Sequence, residues 1–89
     1  MENRVVRVGQ AVVYHDPVGK PFDAVVTAVW GPTCINVVFV SGDENKQDNY
    51  GRQIERQTSL SHKSVMQVHG FYWRFQDEEP NEYKAPLER

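Results

Sequence analysis

The chain has 89 residues, with ten basic and twelve acidic side chains and a formal charge of −2. That length makes one domain with one small core, and the near-neutral balance argues against a protein that wraps a phosphate backbone, which needs a clustered excess of Lys and Arg. One cysteine cannot form an internal disulfide. No signal-type leader and no bilayer-length apolar run is present, so the expected setting is a reducing compartment such as the cytoplasm, with no membrane partner, and a protein delivered inside a particle would look the same.

In chain order, Met1–Arg7 is a short lead in which Val5-Val6 could add an edge strand. Gly9-Gln10 opens a first strand through Ala11–His15. Asp16-Pro17-Val18-Gly19-Lys20 reads as a turn, because Pro17 presets φ and Gly19 accepts a positive φ. From Phe22 the pattern alternates with a period of two, and Gly31-Pro32-Thr33 breaks it. It then resumes as Ile35, Val37 and Phe39 between Cys34, Asn36, Val38 and Val40, the pattern of a β-hairpin with one buried face.

Ser41–Gln53 turns polar, with Tyr50 its only large apolar side chain, and reads as a long exposed loop. Ile54–Leu60 is a weaker fourth strand, and Ser61–Ser64 turns the chain with at most a single helical turn. Val65, Met66 and Val68 lead into an aromatic last strand, Gly70–Phe75. Residues 76–89 carry five acids against two bases, have no periodicity, and read as a flexible acidic tail behind a 1–75 domain.

No window holds apolar residues at helical spacing over three turns. The expected fold is therefore all-β, a small five- to six-stranded antiparallel barrel, SH3-like and partly open, since closure protects strand edges. Phe22, Ala24, Val26 and Ala28 should face inward from the second strand, and Ile35, Val37 and Phe39 from the third. Phe71, Trp73 and Phe75 should close the core, with Tyr72 and Arg74 facing out.

Chemistry-bearing patterns are weak. Cys34 with His15, His62 or His69 would need an electropositive, accessible thiolate, but Cys34 opens an apolar strand where a thiol packs as a small hydrophobe. Ser59 or Ser61 with His62 and Glu55 lacks a strained nucleophile elbow. No His or Cys pair lies at ligand spacing, and Asp43, Asn45 and Asp48 match a calcium loop poorly, with Ile54 where the bidentate Glu belongs. No Gly-rich loop leads into a helix to cradle phosphate. The expectation is a protein without catalysis, metal or cofactor.

One mixture of aromatics, cations and amides remains: Tyr50, Arg52, Gln53, Arg56, His62, His69, Tyr72 and Arg74, with Trp73 among them. Small barrels bind through such mixtures, the aromatics stacking while Arg and Gln direct hydrogen bonds.

Val8-Gly9-Gln10-x-Val12, Ala24–Val29, Ile35-Asn36-Val37 and Tyr72-Trp73-Arg74 resemble the small SH3-like barrels carried as accessory genes by tailed bacteriophages. The opening Gly is also similar to that of the KOW-type barrels, but their strongly basic loops are absent. The phage resemblance implies a non-enzymatic binding module with a protein partner, as a minor structural or adaptor protein or an inhibitor of a host defence factor. Homo-oligomers fit a chain this small, which gains by burying more apolar surface. Two other readings are a nucleic-acid binder and a barrel that sequesters a small nucleotide signal between protomers.

Overall fold

A computed structural model describes residues 4–65 and 71–81. The described residues contain no helix, and the strands are β1 (Ala11–His15), β2 (Pro21–Val29), β3 (Cys34–Val40), β4 (Gln47–Asp48), β5 (Gly51–Arg52), β6 (Ile54–Ser61) and β7 (Tyr72–Arg74). Five of them form an antiparallel sheet in the order β6-β3-β2-β1-β7. The sheet curls until its two edges meet at one point, where His62 bridges Trp73 and Lys63 N–H donates to the Trp73 carbonyl at 2.9 Å. The result is the expected all-β, partly open barrel.

The core follows from the period of two. Val12 and Tyr14 of β1, Ala24 and Val26 of β2, Ile35, Val37 and Phe39 of β3, and Leu60, Trp73 and Phe75 share one buried cluster. Phe22 and Phe71 pack partly buried against it, and Tyr14 meets Phe39 and Phe22 at 4.7 and 5.8 Å between ring centroids. Trp73 is fully enclosed and spends its indole N–H on the Thr33 carbonyl at 3.0 Å. The Asp16–Lys20 turn forms as read: Gly19 takes a φ of 90° while the Asp16 carboxylate accepts from the N–H groups of Val18 and Lys20.

Several expectations are corrected. Val5-Val6 forms no strand; Val6 enters the core and Val5 stays exposed. The register of β2 against β3 shifts between Val26 and Ala28, so Thr27 bulges, Ala28 is only half-buried, and Trp30 stands on the outer surface. The last strand is shorter than Gly70–Phe75, and Met66, Val68 and Gly70 lie outside the described residues.

Tyr72 does face away from the barrel interior, but it is buried, not exposed. The segment after Phe75 turns back and covers it: Asn81 N–H donates to the Tyr72 hydroxyl at 2.8 Å, and Asn81 Nδ2 to the Lys63 carbonyl. Arg74, also expected outside, is half-buried and donates to the Glu78 carbonyl at 2.6 Å. The described part of the acidic segment, residues 76–81, is thus docked on the barrel; its remainder lies outside the described residues.

Candidate functional site

The seven described candidate residues do not converge on one site, although His62 meets the Tyr72–Arg74 edge where the sheet closes at Trp73. β6 separates them, since Gln53 and His62 stand at its two ends, roughly 30 Å apart at the rise of an extended strand. Tyr50, Arg52 and Gln53 belong to the β3–β6 connection, His62 to the far end of β6, Tyr72 and Arg74 to the opposite sheet edge, and Arg56 to the outer face of β6. His69 lies outside the described residues.

At the far end, His62 is committed to the fold. Its Nδ1 accepts from the Ser64 backbone N–H at 3.1 Å and bonds the Ser64 hydroxyl at 2.9 Å, so Nε2 carries the proton and donates to Glu78 at 2.8 Å. The same Glu78 oxygen accepts from Phe75 N–H at 2.9 Å. Hydroxyl, imidazole and carboxylate stand in the order of a nucleophile relay, yet the Ser64 bonds close the turn after β6 and the Glu78 bonds tie segment 76–81 down. Burial pushes the Glu78 carboxyl upward, but Phe75 N–H, His62 and Lys63 together outweigh it and hold the group below its ordinary value. Lys63 is used similarly, donating to the Glu79 carbonyl at 2.6 Å.

At the sheet edge, His15 stacks on Tyr72 at 4.5 Å and donates from Nδ1 to the Gly19 carbonyl at 2.9 Å. Arg74 donates to His15 Nε2 at 3.1 Å, which makes Nε2 the unprotonated nitrogen. Burial holds this imidazole below its ordinary value, and the Arg74 charge adds to the effect. Arg74 and Tyr72 are therefore structural here, turned into a second layer by residues 76–81.

The β3–β6 connection is different, because its polar groups brace a projecting tip. Ser41 is buried at its base; its hydroxyl donates to Glu55 and accepts from Asp43 N–H at 3.1 Å. Arg52 donates from Nη1 to the Ser41 carbonyl at 2.9 Å, and Ser41 N–H donates to the Gln53 carbonyl. Lys46 reaches the Glu55 carboxylate at 3.4 Å. The Ser41 hydroxyl, ahead of Lys46, keeps that carboxyl below its ordinary value.

Above this base, β4 and β5 pair as a two-rung hairpin, Gln47 with Arg52 and Asp48 with Gly51. Gly51 takes a φ of 127°, closed to most L side chains, and Asp48 accepts from Tyr50 N–H at 2.8 Å. Tyr50 stands at the tip, 97 % exposed. The expected long exposed loop is thus a braced hairpin presenting one aromatic ring.

Sequence reasoning missed the outer surface of β2, β3 and β6. Trp30 is 66 % exposed, its indole N–H held by Asn36 at 2.9 Å, and Ile54 and Val40 are 63 % and 52 % exposed as cross-strand neighbours. The signal was present, since Val38, Val40 and Ile54 are apolar at positions the alternation assigns to the outside.

Among the described residues no group of His, Cys, Asp and Glu is placed to hold a metal ion. No protein-family model, no curated protein and no solved structure matches the chain.

Proposed function

We propose that this chain is a non-enzymatic binding module that engages a protein partner through the β4–β5 hairpin, with Tyr50 as the anchor. The observation that carries the reading is the fully presented Tyr50 ring on a tip braced by Asp48, Arg52, Ser41 and Glu55. An aromatic side chain brings much contact area at low ordering cost, and a braced loop has less freedom to lose on binding. Gln53, exposed at the base of the same hairpin, adds a directed polar group. The resemblance to phage accessory barrels supports the narrower reading of a minor structural or adaptor protein, or an inhibitor of a host defence factor.

The nucleic-acid reading is weaker, because its stacking platforms Tyr72 and Trp73 are buried, and Lys63 and Arg74 are spent on carbonyls. An oligonucleotide retained at low salt and released steeply as salt rises would revive it.

The test compares proteins captured by the immobilised chain with those captured by a Tyr50→Ala variant. Loss of a central aromatic anchor costs about 2 kcal/mol of binding, some 30-fold in Kd. Folding stability should change by no more than about 0.5 kcal/mol, since the ring covers nothing in the fold. Equal affinity of both chains for every captured protein would refute the hairpin as the site.

A further inference from the structure

We infer that the outer face of β2, β3 and β6 is a self-association surface whose occupant is a second copy of this chain. The register places outward side chains in two adjoining rows. Ile54 pairs Val40, and one step along the β2–β3 register Asp23 completes that row. Arg56 pairs Val38, and Val38 pairs Val25, to make the other. Val25, Val40 and Ile54 are exposed and Val38 half-buried, so four aliphatic side chains form a contiguous patch on an open sheet face. Small soluble proteins seldom leave such a patch bare.

The charges choose the occupant. Arg56 and Asp23 sit at opposite corners of the patch, both exposed, and neither side chain has a partner among the described residues. Face-to-face pairing of two copies has its twofold axis in the interface plane. An axis along the Ile54–Val25 diagonal exchanges the other two corners, so each Arg56 meets the second copy's Asp23.

With strands about 4.8 Å apart and alternate residues about 6.8 Å apart, the exchanged backbone positions are offset laterally by about 4 Å across sheets about 10 Å apart, a gap that an arginine and an aspartate side chain extended toward each other span together. Val38 and Val40 then drop between opposing side chains. The strands of the two sheets cross at roughly 70°, close to the orthogonal mode of sheet packing. A foreign protein would have no need of this self-complementary arrangement. The inference rests on the outer face of β2, β3 and β6 and is independent of the hairpin reading.

The test is analytical sedimentation of the chain at roughly 100 μM, a concentration at which a modest interface is populated. The expected species has twice the 10.3 kDa chain mass. Asp23→Arg and Arg56→Asp should each weaken dimerisation at least ~10-fold by setting like charges together. The double exchange should restore it to within about 3-fold of the parent. Ile54→Lys should leave a monomer, with circular dichroism confirming that each variant is folded. A monomeric parent chain, which would leave the face to a foreign protein or to solvent, overturns the inference. So does a dimer indifferent to both single exchanges, or one the double exchange fails to restore. Tyr50→Ala should leave the dimer intact, which separates this result from the fate of the hairpin reading.

Discussion

His15 lies between two layers, stacked on Tyr72, with Nε2 facing the Arg74 guanidinium. Its folded pKa lies below the ordinary 6.5, so the unfolded chain takes up the proton first. Stability is therefore complete above pH 6.5 and declines as pH falls from there towards the folded pKa. Glu78, also held low, adds a further loss as pH falls below 4.5. Thermal melts of the parent should show a plateau above pH 6.5 and a fall below it. A His15→Phe variant keeps a ring on Tyr72 and should flatten the first part of that fall; an unchanged slope would remove His15 as its source.

Trp73→Ala tests the core at the same scale. Emptying a fully enclosed indole site and freeing the Thr33 carbonyl should cost about 3–5 kcal/mol, enough to leave much of so small a domain unfolded in denaturant titration. Trp73 was readable as core from alternation alone. Tyr72 was not, because a period of two tells which side of a strand a residue takes and not whether that side is covered later.

Two elements depart from the pattern for reasons that are local and physical. At Thr27 the bulge resets the phase of β2, which turns Trp30 outward; nothing in an unbroken apolar alternation marks where one extra residue will be accommodated. Segment 76–81 has the composition of a solvated tail, yet it docks through Glu78, Glu79 and Asn81, contacts made with residues far away in the chain. Glu78→Gln should loosen this layer by weakening the charged acceptor shared by His62 and Phe75 N–H, at about 1–2 kcal/mol. Amide hydrogen exchange should then rise at Phe75 and Asn81, whose N–H groups are bonded within that layer, and not at Val37. Equal rates in both chains would mean that Glu78 does not hold the segment.

At the scale of the whole molecule, the fold was legible because Ala24, Val26, Ile35, Val37 and Phe39 repeat at strand spacing, leaving no helical alternative. The site was legible only in part. Tyr50 drew attention as the lone large apolar side chain in a polar stretch. The role of Arg52 as a brace depends on the buried Ser41 carbonyl, which no spacing reveals. The pairing of the sheet edges at His62 and Trp73 further separates a structural end, where cations and histidines are consumed, from a presenting end, where Tyr50 stands free.

Hydrogen exchange of the chain alone and saturated with its captured protein partner, at equal chain concentration, tests that division most directly. The account predicts new protection across residues 47–52 and none at Tyr72–Arg74 or residues 76–81. Protection confined to the His62, Tyr72 and Arg74 end, with the hairpin unchanged, would contradict it.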